Sequence, residues 1–153
     1  TLGVPIDFLP PGAASLECVF RFEQTGRPQA LLYQPHYSRQ LELELDATGC
    51  LLLTRQNNSG QEATVRTEPL EAGRVYQAVA VFTGSEIQLY LDGELAGASP
   101  CVGVRTGEGT WIGGKGEERF QGEIVRMNVF TGALSENQVE DMYYRFEQLE
   151  LNP

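Results

Sequence analysis

The sequence has 153 residues and a formal net charge of −10, and its single lysine is Lys115. A chain of roughly 150 residues supports one domain with a substantial core, because about two-thirds of its unfolded surface becomes buried on folding. The acidic balance argues against binding to nucleic acid or to an anionic membrane, since both repel a negative surface. No apolar run is long enough to cross a bilayer, so we expect no membrane insertion.

Residues 1–14 are expected to form an extended lead-in, because three prolines and Gly12 disfavour regular structure in this segment. The chain begins at Thr1 instead of methionine, which favours a domain excised from a larger chain. We therefore predict one domain over residues 15–153, preceded by this lead-in.

Alternation of apolar and polar residues predicts a series of short strands after the lead-in. In "LECVFRFE" (16–23), the side chains of Leu16, Cys18 and Phe20 lie on one face of an extended segment. About ten such strands with turn residues between them are typical of antiparallel sheets in a sandwich or barrel. The predicted strand segments are 16–23, 29–34, 40–46, 50–56, 62–68, 74–83, the hairpin 86–97, 110–114 and 122–130.

Two of these segments carry more specific predictions. Segment 74–83 is apolar at nearly every position, as expected of a central strand that is buried on both faces. In "EIQLYLDGELAG" (86–97), Asp92 and Gly93 stand between alternating segments. This pair predicts a tight hairpin turn, because Gly lacks a Cβ and Asp tolerates a positive φ.

One helix is predicted after the last strand. Ser135 and Gln138 have the spacing of a capping box, in which the serine side chain accepts a hydrogen bond from the backbone N–H three residues later. The apolar residues that follow recur at i, i+3, i+4 and i+7, so we expect one apolar stripe that packs against the sandwich. They are Val139, Met142, Tyr143 and Phe146.

The three cysteines are Cys18, Cys50 and Cys101, and none has the spacing of a metal site. Cys18 lies in an alternating apolar strand and is interpreted as a core residue, since a free cysteine often behaves as a small hydrophobe. A disulfide framework is not expected in a domain of this size, although the alternative of a single disulfide bridge is kept.

Three motifs stand out in the second half of the chain: "RVYQAVAVFTGSEIQLYLDGELAG" (74–97), "TWIGG" (110–114) and "FQGEIVRMNVFTGALSENQVEDMYY" (120–144). Together they resemble the laminin-G-like branch of the concanavalin A-like lectin and glucanase superfamily. The resemblance implies an all-β jelly roll, a sandwich of two antiparallel sheets with one short C-terminal helix. Val125 and Asn128 replace an acidic residue and an arginine that the family often has. The resemblance predicts a fold and leaves the function open.

Because the fold also hosts glycosidases, paired carboxylates were considered as catalytic groups. Glu42, Glu44 and Asp46 share one strand face, whereas the glucanases of this fold resemble E-x-D-x-(x)-E, with Asp between two Glu. We interpret these acids as a solvated strand face. His36 is the only histidine and supports no hydrolytic triad. We therefore predict that the protein is not an enzyme, and a glycoside hydrolase is a distant third alternative.

The resemblance also implies a calcium site, since laminin-G-like rims often bind this ion through carboxylates and carbonyls. The acidic loop residues are scattered and form no Asp-x-Asp-x-Asp loop: Asp46, Glu108, Glu117 and Glu118. We predict no cofactor. A calcium site is kept as an alternative, but its ligands cannot be assigned from the sequence.

Sugar recognition needs an aromatic ring for the C–H face of the sugar, together with amide or charged groups for its hydroxyls. Such residues gather in "LLYQPHYSRQ" (31–40), in "TRQNNSG" (54–60) and around the single tryptophan, Trp111, which is the expected stacking platform. The candidate ligand-binding residues are Tyr33, His36, Tyr37, Arg39, Arg55, Asn57, Asn58, Trp111 and Arg119.

Two classes of function remain. In the first, the chain is a non-catalytic recognition module for a glycan or glycoprotein, and the resemblance then implies a secreted or cell-surface location. In the second, it is a protein-interaction or structural domain that contacts neighbouring domains of a larger protein, such as an intracellular enzyme. The candidate loops favour the first class, whereas the odd number of cysteines and the absence of a calcium loop favour the second.

Overall fold

The computed structural model describes residues 2–4, 12–35, 39–103, 109–115 and 118–151, with backbone only for 2–4 and Arg39. These residues are mostly in short strands, which confirms the predicted all-β class. In chain order the strands are β1 (Leu2–Val4), β2 (Ala14–Phe22), β3 (Gln29–Pro35), β4 (Arg39–Leu45), β5 (Cys50–Gln56), β6 (Glu62–Pro69), β7 (Tyr76–Phe82), β8 (Glu86–Leu91), β9 (Glu94–Pro100), β10 (Thr110–Ile112), β11 (Gly114–Lys115), β12 (Glu118–Arg119) and β13 (Gly122–Thr131).

The strands form two main sheets whose described pairings are all antiparallel. One sheet has the order β1-β10-β3-β4-β5-β6, and the other has the order β13-β2-β7-β8-β9. Strands β11 and β12 form a small separate hairpin. Residues 2–4 of the predicted lead-in are an edge strand of the six-stranded sheet, where Leu2 pairs with Ile112. The arrangement confirms the predicted jelly-roll sandwich.

The core lies between the two sheets and is built by the alternating positions. Leu16, Phe20 and Phe22 of β2 face Leu41 and other buried residues of the six-stranded sheet. The buried thiols Cys18 and Cys101 belong to this core, and all three cysteines are free within the described residues. The burial of these aliphatic and aromatic groups is the main stabilising contribution to the sandwich.

Strand β7 is buried on both faces, as its uninterrupted apolar sequence predicted. Ala80 and Phe82 face the main core, whereas Val79 and Val81 face a second cluster on the outer side of the five-stranded sheet. Val139 completes that second cluster from the C-terminal helix. The helix therefore covers the outer face of this sheet.

The helix α1 (Glu136–Phe146) begins with the predicted capping box. The backbone N–H of Gln138 donates to Oγ of Ser135 at 3.2 Å, and the N–H of Ser135 donates to Oε1 of Gln138 at 2.8 Å. The predicted apolar stripe packs against the sandwich, and its residues Val139 and Phe146 are buried. A π-helical segment, Glu147–Leu151, follows directly. Among the described residues, no helix combines the length and the apolar character needed to cross a membrane.

The β8–β9 hairpin has the predicted turn. Asp92 has φ of 49° and Gly93 has φ of 80°, so both central residues lie in the left-handed region. Asp92 also ties the turn to β7, because its Oδ1 accepts a hydrogen bond from the backbone N–H of Gln77 at 3.0 Å. Its Oδ2 accepts from Arg74 at 2.8 Å.

Candidate ligand-binding site

One row of paired residues crosses the six-stranded sheet. Trp111 of β10 pairs with Tyr33 of β3, and Tyr33 pairs with Glu42 of β4. Side chains at paired positions project from the same face of a sheet, so these three share one face. Their neighbours Leu41 and Leu43 belong to the core, and the row therefore lies on the outer face.

Lys115 joins this row from the adjacent hairpin. Its Nζ lies 2.5 Å from Oε2 of Glu42 and 3.6 Å from Oε2 of Glu44, and 4.9 Å from the centroid of the Tyr33 ring. We call the surface formed by Trp111, Tyr33, Glu42, Glu44 and Lys115 the Trp111 face. It combines two aromatic rings, two carboxylates and one ammonium group.

Two glycines bring Lys115 to the Trp111 face. Gly113 and Gly114 have φ of 81° and 148°, which interrupts the regular strand between β10 and β11. The backbone N–H of Gly113 donates to the carbonyl of Leu31 at 2.9 Å, so the chain continues along β3 beyond the pair of Ile112 and Leu32. The "TWIGGK" sequence thereby places the tryptophan and the lysine along the same strand, β3.

Exposure differs sharply across the Trp111 face. Trp111 is 36% exposed, whereas Glu42 is 0% and Glu44 is 8% exposed. The predicted solvated strand face is therefore wrong for Glu42 and Glu44. Strand alternation shows which residues share a face, but burial depends on groups from distant parts of the chain, such as Lys115, which packs against both carboxylates.

The burial changes the acid–base behaviour of the pair. Burial raises the pKa of Glu42 to about 7; the hydrogen bond from Lys115 opposes this rise, and the adjacent Glu44 adds to it. Burial by itself lowers the pKa of Lys115, but its pairing with Glu42 outweighs this effect and the pKa is raised. Lys115 is therefore a cation at neutral pH, while Glu42 exchanges its proton in that range.

This shift predicts a pH effect on stability. The pKa of Glu42 rises from 4.5 to about 7 on folding, so the folded protein binds the proton more tightly. Stability from this group is therefore greatest below pH 4.5 and falls as the pH rises to about 7. We expect Glu42→Gln to remove roughly 1–2 kcal/mol of this pH dependence, after allowance for solvent screening at the pair.

The measurement is urea unfolding of wild type and variant at several pH values between 5 and 8. Glu140→Gln, at an exposed position of α1, serves as the matched control and should keep the wild-type profile. A wild-type profile in Glu42→Gln would show that the carboxyl of Glu42 titrates normally in the folded protein.

Arg55 does not contribute to a binding surface, and its prediction as a ligand residue is wrong. It lies on β5 and is 1% exposed, with its guanidinium carbon 4.3 Å from the centroid of the Phe82 ring. Position 55 continues the inward alternation of Leu51 and Leu53, which was the available signal for this orientation.

The β5–β6 turn holds the two predicted asparagines. Oδ1 of Asn57 accepts hydrogen bonds from the backbone N–H groups of Ser59 and Gln61, each at 2.9 Å, so its side chain stabilises the turn. Asn58 is exposed, and its backbone N–H donates to the carbonyl of Val102 at 3.4 Å. This turn lies apart from the Trp111 row, at the end of the six-stranded sheet.

The remaining candidates are less informative. Arg119 is exposed on β12, where it pairs with Gly114 beside Lys115. His36 and Tyr37 lie outside the described residues. The side chain of Arg39 does so as well, although its backbone pairs with Pro35. The structure thus brings Tyr33 and Trp111 together and adds three charged residues that the sequence did not assign to a binding surface.

No metal centre is evident in the described part of the chain, where no three His, Cys, Asp or Glu side chains form a group that could hold an ion. Oδ1 of Asp46 instead accepts hydrogen bonds from the backbone N–H groups of Thr48 and Cys50, and Oδ2 pairs with Arg66 at 2.7 Å. Hydrogen bonding at this site lowers the pKa of Asp46 although burial opposes it. Glu108 and Glu117 lie outside the described residues.

A cleft of about 640 Å³ lies between β6 and the β8–β9 hairpin, near Tyr143. Two arginines line it, and each is ion-paired with a carboxylate: Arg66 with Asp46 at 2.7 Å and Arg74 with Asp92 at 2.8 Å. The residues that line the cleft include no tryptophan, and its Tyr76 is only 3% exposed, so the partly exposed Trp111 makes the Trp111 face the stronger candidate for ligand binding.

Comparison with known families identifies the class of protein. Residues 4–140 match a family model described as "Concanavalin A-like lectin/glucanases superfamily". The chain belongs to this family, which confirms the resemblance seen in the sequence. No curated protein sequence matches the chain significantly.

Several solved structures share the fold. A native heptameric SAP-like pentraxin from Limulus polyphemus superimposes with a TM-score of 0.69 and 17% identity over 95% of this chain and 75% of the pentraxin. The botulinum neurotoxin serotype D binding domain gives 0.66 and 12%, over 87% of this chain. The serotype D ligand binding domain in complex with N-acetylneuraminic acid gives 0.68 and 11%, also over 87% of this chain. This chain spans only 37% and 36% of those two toxin domains, and at these identities the likeness shows the fold alone.

Proposed function

We propose that the chain is a non-catalytic recognition module that binds a glycan on the Trp111 face. The observation that carries this proposal is the partly exposed ring of Trp111, which lies beside Tyr33 and close to the ion-paired Lys115. An aromatic ring covers the C–H face of a sugar, and the ammonium and carboxylate groups bind its hydroxyls. The lectin-like family and the sugar complex of one toxin domain support the ligand class.

The environment of the carboxylates supports recognition over catalysis. Retaining glycosidases need two carboxyl groups about 5 Å apart that flank the scissile bond. Here Glu42 is fully buried, and Lys115 contacts both Glu42 and Glu44. An acid that is buried beneath an ion-paired lysine is poorly placed to protonate a glycosidic oxygen. The Glu42 and Glu44 pair therefore serves to hold Lys115.

The test is ligand binding by wild type and Trp111→Ala on a glycan array, followed by calorimetry. We expect Trp111→Ala to weaken binding at least about tenfold, roughly 1.4 kcal/mol, as loss of an aromatic anchor does. Trp111→Phe should retain part of the affinity. Tyr144→Ala removes an exposed aromatic residue of α1, on the other sheet, and is the matched control. Full binding by Trp111→Ala would remove this face from consideration.

A single lysine allows the location of binding to be read directly. Reductive methylation with ¹³C-formaldehyde labels Lys115 and the amino terminus. If the sugar occupies the Trp111 face, the Lys115 methyl resonance should shift on titration, and this shift should be lost in Trp111→Ala. An unchanged Lys115 resonance at saturating sugar would place binding elsewhere.

A second candidate function is contact with a neighbouring protein domain. It is favoured by three large hydrophobic side chains that are exposed near the end of the chain: Tyr144 (62%), Leu149 (74%) and Leu151 (38%). These three residues lie within eight consecutive positions of the chain, and clusters of exposed apolar side chains mark interaction sites. Failure of every glycan to bind, together with loss of domain capture in Tyr144→Ala/Leu149→Ala, would select this function.

A further inference from the structure

We propose that the Trp111 face selects uncharged sugars and disfavours glycans that carry carboxylate or sulfate groups. This inference rests on the proposed function, since it specifies which glycans the same site accepts. It follows from the signs and positions of the charges around Trp111.

The Trp111 face carries more negative than positive groups. Among the described side chains of the Trp111 face, two carboxylates surround one ammonium group: Glu42 and Glu44 lie 2.5 and 3.6 Å from Lys115. Glu118 pairs with Lys115 across the β11–β12 hairpin and projects from the same side, so it adds a third acidic group. Arg27 and Arg119 line a small cavity with Lys115 and Glu118 at the Gln29 end of β3, away from the pair of Trp111 and Tyr33.

The ammonium group of Lys115 is already paired with carboxylates of the protein. An anionic sugar must compete with Glu42 and Glu44 for Lys115, and its approach also brings like charges together. Arg66 projects from the same face of the sheet as Glu44, because Leu52 on the intervening strand pairs with both residues. Its positive charge is already paired with Asp46. The net charge of −10 adds a long-range repulsion of the same sign.

An uncharged sugar can form hydrogen bonds with groups of both signs on this face. A sugar hydroxyl accepts a hydrogen bond from Lys115 and donates one to Glu44, so it uses groups of both signs. A carboxylate or sulfate only accepts hydrogen bonds, and the one cation among the described side chains of this face, Lys115, is already shared with Glu42 and Glu44. The apolar face of the ring rests on Trp111 in either case, so the charged substituent decides the difference in affinity.

The experiment uses matched pairs of glycans at pH 8. The probes are N-acetyllactosamine with and without terminal N-acetylneuraminic acid, the same disaccharide with and without a 6-sulfate, and glucose oligomers against glucuronic acid oligomers. We expect the uncharged member of a bound pair to bind at least about tenfold more tightly, roughly 1.4 kcal/mol. The difference should narrow in high salt, because screening weakens the repulsion.

Two variants separate local charge from total charge. Glu44→Gln and the exposed Glu118→Gln each remove one carboxylate near Lys115 and should narrow the affinity ratio several-fold. Glu140→Gln changes the net charge equally from the exposed side of α1 and should leave the ratio unchanged. Glu118→Gln keeps the test valid if Glu44→Gln fails to fold, because Glu118 is a surface residue.

The outcomes are distinguishable. The inference is supported if wild type prefers uncharged glycans and if the affinity ratio narrows in Glu44→Gln or Glu118→Gln but not in Glu140→Gln. Equal or tighter binding of the anionic members, still dependent on Trp111, overturns the inference and leaves the proposed function in place. Binding to no member of any pair overturns both.

Discussion

Gly122→Ala is expected to destabilise the protein more than any other small substitution considered. Gly122 begins β13 with φ of 154°, and a Cβ at this position would lie 2.0 Å from the carbonyl oxygen of Arg21 and 2.7 Å from Cα of Phe22. Both contacts are with the backbone of β2, which pairs with β13 on one side and with β7 on the other. No side-chain rotation relieves such an overlap, so we expect a loss of roughly 3 kcal/mol or more in the free energy of unfolding.

Urea unfolding measures this loss. Gly132→Ala is the matched control, since Gly132 follows β13 with φ of 84° and a Cβ there would meet nothing within 4 Å. It carries the backbone strain without the overlap and should cost about 1 kcal/mol. If both variants unfold at the same urea concentration, β13 does not approach the backbone of β2 closely enough at Gly122 to exclude a Cβ.

Glu17→Ala is expected to have the second largest effect. The carboxylate of Glu17 is 4% exposed on the outer face of the five-stranded sheet. It accepts hydrogen bonds from Nε2 of Gln77 at 2.7 Å, Nδ2 of Asn128 at 2.9 Å and Nε of Arg126 at 3.1 Å. Alanine would leave these donors without their acceptor, and Gln77 is itself buried. We expect a loss of roughly 2–3 kcal/mol, because an unsatisfied buried polar group costs its full desolvation penalty.

The pH dependence gives this prediction a second readout. Burial by itself raises the pKa of Glu17, but hydrogen bonds from Arg126, Asn128 and Gln77 outweigh it and lower the pKa below its ordinary value of 4.5. The stabilising contribution of Glu17 is therefore present above pH 4.5 and is lost as the pH falls through the lowered pKa. The difference between wild type and Glu17→Ala should shrink in acid.

The control for Glu17 is Glu123→Ala on the adjacent strand. The Glu123 side chain is 63% exposed and lies 4.0 Å from Arg21, so its removal should change stability by less than about 0.5 kcal/mol. Equal unfolding free energies for Glu17→Ala and Glu123→Ala would mean that the hydrogen bonds around Glu17 contribute little.

Much of the fold was predictable because the determining interactions are local. Alternation in β4 places Leu41, Leu43 and Leu45 on the core face whatever the partner strand is. Asp92 and Gly93 specify their turn through their own allowed φ values. The capping box of α1 joins residues only three positions apart. Trp111 could be proposed as a stacking residue because Trp111 and Ile112 are neighbours on one strand. Successive side chains of a strand point to opposite faces, so one of these two must face outward.

The chemistry of the candidate site was decided only by the tertiary structure. The pKa of Glu42 depends on burial and on Lys115, which arrives from a hairpin far along the chain. The same strand pattern is compatible with a solvated carboxylate, so no local signal separates the two states. For Arg55 the local signal was present but was overlooked. An arginine beside the polar residues 56–60 suggests a loop, whereas its position on β5 directs its side chain inward to the Phe82 ring. Sequence alternation thus determines which face a residue occupies, whereas desolvation and charge pairing depend on which distant segments cover that face.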